Sequence, residues 1–429
     1  MQSKPTILII GAGLAGLAAA SRLVADNYQV TVLEARPRIG GRTWTDFSLN
    51  VPFDQGAFVI HGIQNNPMVE LCQQFNAKFI PISINSIWFA NQTQQFSETE
   101  LETIHDQFNQ LVADASVYAR QAQHDMTLAK ALHVVYNIKD YPALTKPIYN
   151  WRSTFLTLYA AAEAKHLSAR HWDEDETPFE GGNGFMLDGY LPIVTGLAQK
   201  ILINLNTQVT RINYSGRSIK VETNNGTYEA DKVIITVPLG VLKKAAISFG
   251  PPLPIVKKLA IARLEMGLLN KMALKFAKPF WPVDPKMIRI SNLTSSGLVI
   301  PWFLNYQHYF NEPVLVGAVA GDSAHEFEKL NDEDVCHAAM KALRQLFGNN
   351  IPNPTGYIIT RWGQDIFSYG SYSYIPLGAT GADYDSLSQP VENKLFFAGE
   401  ATNRFFPGTT HGAYLSGIRE AERILGVIR

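Results

Sequence analysis

The chain has 429 residues, of which 46% are hydrophobic and 17% are charged. At roughly 150 residues per domain this length predicts two or three domains, with enough apolar surface to fold without disulfides or structural metals. The 37 basic and 38 acidic side chains leave a net charge of −1, which gives no electrostatic reason to expect nucleic acid or an anionic membrane as partner. The composition also excludes a disordered or low-complexity chain.

Cysteine usage and the N-terminus bear on metal binding and on location. Cys72 and Cys336 fit neither a C-x-x-C motif nor a zinc-ligand spacing, so we expect no metal and no disulfide framework, although one bridge stays open. The apolar run 7–10 meets glycines at once and is too short for a signal sequence. No stretch reaches the approximately 18 apolar residues of a membrane span. We therefore expect a cytoplasmic protein without a membrane segment.

The first 34 residues carry the clearest motif. Residues 7–10 are a continuous apolar run, which is typical of a strand buried in a parallel sheet. Gly11, Gly13 and Gly16 follow and open a helix of small residues, and a second strand ends in Glu34. The three glycines allow a tight turn, close approach of a pyrophosphate and close helix–strand packing, while the acid accepts hydrogen bonds from a ribose. This order of features predicts a dinucleotide-binding βαβ unit.

A second loop helps to choose the dinucleotide. Residues 35–43 extend Glu34 into a basic segment that contains Arg36, Gly41 and Arg42. Such a loop can wrap back over the same phosphates. It suits a cofactor that stays bound better than a nicotinamide, which must leave after each turnover.

At this point the sequence resembles the flavin-containing amine oxidases, the group of monoamine oxidases, polyamine oxidases and lysine-specific histone demethylases. The motifs that carry the resemblance span nearly the whole chain: 11–16, 34–42, 53–57, 236–242 and 396–402. Segments 60–62, 407–417 and 419–421 look most like the polyamine oxidase branch.

The resemblance implies an α/β fold with an α+β insert. Its parts are a Rossmann-like FAD-binding domain, expected at 1–81, 179–261 and 366–429, and a discontinuous substrate-binding domain at 82–178 and 262–365. Apolar residues at a spacing of three to four also predict an amphipathic helix that includes residues 101–112. Further helices are expected at 128–135 and 154–164.

The resemblance also implies which residues hold FAD. Ser371 stands where the monoamine oxidases carry the cysteine that binds flavin covalently, so we expect non-covalent FAD. Family motifs assign the following residues to the cofactor: Gly11, Gly13, Gly16, Glu34, Arg36, Gly41, Arg42, Gly56, Ala57, Val209, Trp362, Gly399, Glu400, Thr410 and Ala413.

Four residues are expected at the reacting amine. Tyr372 and Tyr414 match the family's paired aromatic positions, where two facing rings hold the amine, although core or rim tyrosines remain an alternative. Lys271 matches the lysine that holds a water near the flavin; a surface lysine is the alternative, and it suits Lys275 better. His61 matches a histidine that lines the substrate channel in the polyamine oxidase branch, and an ordinary structural role is the alternative.

The expected substrate is a polyamine such as spermine or spermidine, oxidised with O2 as acceptor. Its ammonium groups call for acids, and Asp175 and Glu180 lie in an acidic run, 173–180, although most such runs are solvated faces. An L-amino-acid oxidase, with Arg152 or Arg170 for the carboxylate, and a monoamine oxidase stay open as alternatives. So does a non-catalytic FAD-binding protein. Histone demethylation is disfavoured, and the oligomeric state is left open.

Overall fold

The computed structural model describes residues 4–82, 87–90, 96–174, 178–290, 298 and 300–427, with the backbone alone at 87–90 and 290. The helices are α1 Leu14–Ala25, α2 Pro67–Gln74, α3 Glu98–Gln121, α4 Leu128–Ile138, α5 Lys146–Ala160, α6 Leu191–Leu197, α7 Leu239–Lys243, α8 Ile255–Arg263, α9 Tyr306–Phe310, α10 Asp322–Lys329, α11 Asp332–Phe347, α12 Gly381–Ser388 and α13 Thr410–Leu425, with a 3-10 turn at Glu400–Thr402. The strands are β1 Ile7–Ile10, β2 Val30–Leu33, β3 Thr45–Asp46, β4 Phe53–Asp54, β5 Val59–His61, β6 Phe79–Ile82, β7 Ile87–Ala90, β8 Asn183–Met186, β9 Leu202–Asn204, β10 Val209–Asn213, β11 Ile219–Thr223, β12 Gly226–Ala230, β13 Lys232–Ile235, β14 Ser248–Gly250, β15 Glu265–Gly267, β16 Leu269–Lys275, β17 Met287–Ile290, β18 Trp302–Asn305, β19 Val314–Ala320, β20 Gly356–Ile359, β21 Tyr372–Tyr374 and β22 Leu395–Phe397.

A parallel sheet forms the centre of the predicted cofactor domain. Its order is β22-β13-β1-β2-β9, so the two ends of the chain meet in one sheet. All four residues of β1 are buried, as the continuous apolar run predicts for a strand covered on both faces. The predicted α/β fold class is confirmed.

Helix α1 packs closely on the first turn of this sheet, and α13 packs closely on α1, because glycines remove side chains at the contacts. A Cβ at Gly16 of α1 would lie 1.9 Å from the carbonyl oxygen of Gly11, and one at Gly417 of α13 would lie 2.1 Å from that of Ala15. Neither position has room for a side chain. The glycines therefore set how closely α1 and α13 approach the first turn, which is where the cofactor motif lies.

A second sheet and a group of helices come from the predicted substrate-domain segments. The sheet has the order β20-β16-β19-β18-β17-β7. Helices α3 to α5 share a separate apolar cluster, and α3 begins at a capping box formed by Ser97 and Glu100. The predicted helix at 101–112 is confirmed. The helix predicted at 154–164 instead begins at Lys146 and ends before Ala161, which adopts a left-handed conformation.

The two sets of segments are also joined by strand pairing. β15 pairs with β21, which connects a strand of the second set to one of the first. Cys72 and Cys336 are both buried and free. Among the residues described above, none of the helices is long and apolar enough to cross a bilayer.

Candidate active site

A single cavity of about 940 Å³ runs from the glycine turn after β1 to the helices α3 and α5. Its wall contains all but one of the residues that sequence motifs assign to FAD. The exception is Gly16, which lies behind the wall against Gly11. His61 and Tyr372 also line the cavity, whereas Lys271, Tyr414 and Glu180 do not.

The glycine turn forms one end of the cavity. Gly11 has a φ of +104°, a conformation that favours glycine. At Gly13 a Cβ would find its nearest neighbour 4.0 Å away, so the space beside this residue is open. Gly13 is also the N-cap of α1 and provides no side-chain cap. The free N–H groups of the first helical turn can therefore receive an anionic group such as a pyrophosphate.

Glu34 is buried beside this turn. One of its carboxylate oxygens accepts a hydrogen bond from the backbone N–H of Ala12 at 2.7 Å, and the other accepts from that of Arg36 at 2.8 Å. Each oxygen has a second lone pair for a ribose hydroxyl. Val209 lies in the wall nearby, where the pairing of β10 with β11 shifts register.

The two arginines of the basic loop bind protein groups. Arg36 forms an ion pair with Asp365 at 2.8 Å. Arg42 donates to the carbonyl oxygen of Ser371 at 2.7 Å and pairs with Glu400 at 2.8 Å. The second carboxylate oxygen of Glu400 accepts from the hydroxyl of Ser373 at 2.6 Å. These contacts fix the wall, so the two arginines bring little uncompensated charge to it.

The N-terminus of α13 faces the cavity through Thr410 and Ala413. The helix is capped by Thr409, whose hydroxyl accepts from the N–H of Gly412 at 2.9 Å. Gly399, also in the wall, donates its N–H to the hydroxyl of Ser416 at 2.8 Å. A second helix N-terminus therefore lies at the wall of the cavity.

Lys271 and Trp362 hold three consecutive carbonyl groups of one short segment. The Nζ atom of Lys271 donates to the carbonyl oxygens of Asp54 and, at 2.6 Å, Gly56. The indole N–H of Trp362 donates to that of Gln55 at 3.0 Å. Trp362 lines the cavity directly, whereas Lys271 lies behind Gly56. Together they position the wall where the chain enters β5.

Burial is the main influence on the pKa of Lys271. The side chain is enclosed on β16 with its Nζ 4.3 Å from the ring centroid of Phe58, and desolvation lowers its pKa, against the opposing charge of Asp54. Desolvation likewise raises the pKa of Asp54, which accepts a hydrogen bond from the hydroxyl of Thr45. The alternative that Lys271 is a lysine at the protein surface is therefore excluded. With two N–H groups donated, the Nζ atom of Lys271 has one direction left for a further partner such as a water, through a third N–H when it is charged and through a lone pair when it is neutral.

The two predicted aromatic residues are not brought together. Tyr372 lines the cavity, and its hydroxyl donates to the carbonyl oxygen of Leu158 at the end of α5. Tyr414 instead packs against the apolar cluster around α1 and α2. Burial and then the charge of Glu70 raise its pKa. The wall at the start of α13 consists of small side chains, so Tyr372 does not face Tyr414 across the cavity.

His61 belongs to an aromatic edge of the cavity. Its ring meets that of Tyr159 edge-on at 6.4 Å, and Tyr159 meets Trp172 in the same way at 6.2 Å. All three residues line the wall. His61 is exposed to the cavity; desolvation lowers its pKa, and a hydrogen bond with Asn183 opposes this shift. Sequence reasoning missed Tyr159 and Trp172, since no local motif marks two aromatic residues from separate segments.

The acidic run differs from its prediction. Glu180 is exposed and lies outside the wall, and Asp175 falls outside the described residues. Asp173 belongs to the same run but was not among the acids predicted to bind the substrate. It does line the cavity, and burial raises its pKa. Glu174 is bound by His171 at 2.9 Å. Among the described residues of the run, Asp173 is therefore the acid that reaches the cavity.

Comparison with known proteins identifies the family. The flavin-containing amine oxidoreductase family matches residues 14–425. The chain belongs to this family. Polyamine oxidase 2 of Arabidopsis thaliana is 35% identical over 98% of this chain and 88% of its own length, and polyamine oxidase 4 of Oryza sativa subsp. japonica is 36% identical with the same coverage. Lysine-specific histone demethylase 1 homolog 2 of Arabidopsis thaliana is 36% identical over 99% of this chain, which spans 59% of that protein.

A solved structure of a putrescine oxidase double mutant, redesigned in its cofactor binding, has the same fold. It superposes with a TM-score of 0.79 at 20% identity and covers 99% of both chains. The resemblance to flavin-containing amine oxidases, polyamine oxidases above all, is thus confirmed.

The amine oxidase has a cavity that fits its cofactor, FAD. The open space beside Gly13, the free helix N-terminus and the buried Glu34 suit a pyrophosphate and a ribose. Trp362 and the start of α13 also line the cavity, where a ring system could lie between them. No three His, Cys, Asp or Glu side chains among the described residues are grouped as metal ligands. The hydroxyl of Ser371 donates to the carbonyl oxygen of Leu269 at 2.8 Å.

Proposed function

We propose that this amine oxidase oxidises a polyamine such as spermine or spermidine with O2 as electron acceptor. The observation that carries the proposal is the continuity of the cavity from the dinucleotide turn, past Trp362, to a chamber lined by His61, Tyr159 and Tyr372. The names of the relatives, polyamine oxidases at 35–36% identity, support the substrate class.

The residues of the chamber would bind the amine in its neutral form. When bound, FAD would supply the oxidation as the acceptor of a hydride from the carbon beside the nitrogen, and O2 would be the final electron acceptor, reduced to H2O2. The resulting imine hydrolyses to an aldehyde and a smaller amine. The lowered pKa of His61 favours its neutral form, which adds no repelling charge, and the aromatic rings would hold the chain of methylenes. Asp173 lies at the wall for a second, charged nitrogen.

Lys271 would hold a water at the wall behind Gly56. Two of its hydrogens are fixed by the carbonyls of Asp54 and Gly56, which leaves one direction for a further partner. The lowered pKa makes proton exchange with that water possible near neutral pH.

Two further parts of the proposal concern the cofactor and the domains. FAD is held without a covalent bond, because Ser371 provides no thiol and its hydroxyl is already bonded to Leu269. We also propose that the parallel sheet and the second sheet are the cores of the two domains, with boundaries at 1–81, 179–261 and 366–429 and at 82–178 and 262–365. The order of strands in the two sheets supports this division.

A peroxide-coupled screen tests the proposed substrate. Spermine, spermidine, their acetyl derivatives, putrescine, simple monoamines and L-amino acids are offered to the FAD-loaded protein. We expect the highest kcat/KM with a polyamine. Activity on amino acids alone would overturn the proposal, and flavin that stays oxidised with every amine under anaerobic conditions would favour a non-catalytic FAD-binding protein.

A further inference from the structure

Residues 363–369 form a short loop, here called the strap, in the wall of the cavity. The N–H of Gly370 donates to the carbonyl oxygen of Trp362 at 2.9 Å and closes the loop at its base. Residues 366–368 line the cavity. Ile366 is at the same time 54% exposed to solvent. The strap therefore lies between the cavity and the solvent.

A bidentate ion pair fastens the strap to the basic loop that follows β2. Nη1 of Arg36 lies 2.8 Å from Oδ2 of Asp365, and Nη2 donates to Oδ1 at 2.9 Å. Nη2 also donates to the hydroxyl of Ser368 at 3.1 Å. Two parallel bonds between a guanidinium and a carboxylate fix the direction of both partners. Because the backbone N–H of Arg36 binds Glu34, the pair joins the strap to the acid that suits a ribose.

Asp365 also holds the strap in its own shape. Its Oδ1 accepts from the N–H of Phe367 at 2.9 Å, and its carbonyl oxygen accepts from those of Ser368 at 3.0 Å and Tyr369 at 2.8 Å. Tyr369 has a φ of +50°, a left-handed conformation that is uncommon for a bulky residue. Such a conformation persists where surrounding contacts determine it. The strap also rests on α7, since a Cβ at Gly240 would lie 2.3 Å from the carbonyl oxygen of Ser368.

We propose that Asp365 is a positioning residue for the cofactor, which holds Arg36 and closes the strap over the ribose and pyrophosphate of FAD. FAD without a covalent bond leaves the protein when the wall around it opens, and the Arg36–Asp365 pair opposes that opening. The pair slows the loss of FAD without adding a net charge to the site. This inference rests on non-covalent binding, which is part of the proposed function, and it is independent of the amine substrate.

Direct binding of the pyrophosphate by Arg36 predicts an effect of the opposite sign. In that arrangement the carboxylate of Asp365 competes with the phosphate groups for the guanidinium. Removal of the acid would then free the charge of Arg36 and tighten the binding of FAD. If the acid instead keeps the strap closed, its removal loosens the binding.

Asp365→Asn in the FAD-loaded protein tests the sign. The amide can keep its oxygen on the N–H of Phe367, which turns its NH2 group towards Nη1 of Arg36, another donor. Dissociation of FAD is followed by the rise in flavin fluorescence after dilution. We expect the variant to lose FAD at least about fivefold faster than wild type. Its apo-protein should melt within about 2 °C of wild type, whereas a residue needed only for folding would lower that temperature.

Asp332→Asn is the matched control. Asp332 pairs with Arg361 beside the same loop, and neither residue lines the cavity. The control removes an acid from an arginine pair and should lose FAD within about twofold of the wild-type rate. If Asp365→Asn does not fold, Arg36→Lys takes its place. Lysine keeps the positive charge for a phosphate but cannot hold Asp365 through two parallel bonds, so we again expect loss at least about fivefold faster.

The outcomes separate this inference from the proposed function. Unchanged or slower loss of FAD from Asp365→Asn, or from Arg36→Lys in its place, overturns the role of Asp365 and leaves the proposed oxidation of amines standing. An equal acceleration in Asp332→Asn does the same. Flavin that stays on the acid-precipitated protein overturns non-covalent binding and the strap together, because a covalent bond retains FAD without it.

Discussion

Replacing Lys271 by methionine removes the donor that holds two carbonyl groups behind the cavity wall. The side chain is enclosed on β16, and its Nζ donates to the carbonyl oxygens of Asp54 and Gly56. Methionine fills a similar volume without a hydrogen-bond donor. The substitution therefore separates the chemistry of the amine from the packing of the strand.

The expected loss of stability is small because two effects oppose each other. Each buried carbonyl that loses its donor costs about 1–3 kcal/mol. Against this, the methionine variant no longer has to keep a desolvated amine, whose burial lowers the pKa of Lys271. We expect a net decrease of about 2 kcal/mol in the free energy of unfolding. The expected loss in rate is larger, about 100-fold or more, as for removal of a group that exchanges protons during turnover.

Anaerobic stopped-flow reduction by spermine, followed by reoxidation with O2, measures the two halves of turnover separately. FAD content from the absorbance spectrum shows whether the cofactor is retained. Lys275→Met is the control, because Lys275 lies on the same strand but pairs with Glu312, and it should turn over normally. Lys271→Met protein that keeps its FAD and reduces and reoxidises it within threefold of wild type would refute the role of Lys271.

Three further predictions concern the reacting amine, the bond to the cofactor and the glycine turn. Activity should rise from neutral to alkaline pH because the reacting nitrogen must be unprotonated; a flat profile of kcat/KM would contradict this. Acid precipitation should release all flavin into the supernatant, since Ser371 provides no thiol, whereas flavin on the pellet would show a covalent bond. Gly16→Ala should not fold into an FAD-binding protein, because its Cβ would lie 1.9 Å from a carbonyl oxygen. Gly13→Ala has room, since its Cβ would lie 4.0 Å from its nearest neighbour. This second variant should fold, yet bind FAD more than about tenfold more weakly in a flavin titration.

Local chain chemistry made the cofactor end of the cavity predictable. The order of strand, glycines, helix and acid depends on residues close in sequence, and each has its own steric or hydrogen-bonding reason. The structure accordingly places Gly11, Gly13 and Glu34 in the wall. The parallel sheet followed as well, because a continuously apolar strand such as β1 requires cover on both faces.

The substrate end depends on contacts that the sequence does not display. Tyr414 follows Ala413 directly and packs against the same apolar cluster, yet a step of one residue turns a helix by about 100°, so Ala413 lines the cavity and Tyr414 does not. A motif match fixes the segment but does not fix which face its side chains take. Arg152 and His105 are 47 residues apart, and only the packing of α5 on α3 brings them together.

The net charge of the chain does not reveal how charged side chains are distributed along the cavity. The net charge of −1 agrees with a polycationic substrate if acids are concentrated where the substrate binds. In the described part of the acidic run, Asp173 reaches the cavity, Glu180 remains at the surface and Glu174 is bound to His171. The far end of the same cavity carries Arg152 in place of an acid. The charged groups of the chamber therefore differ along its length, with an acid at Asp173 and a guanidinium at Arg152, and a net charge near zero does not reveal this distribution.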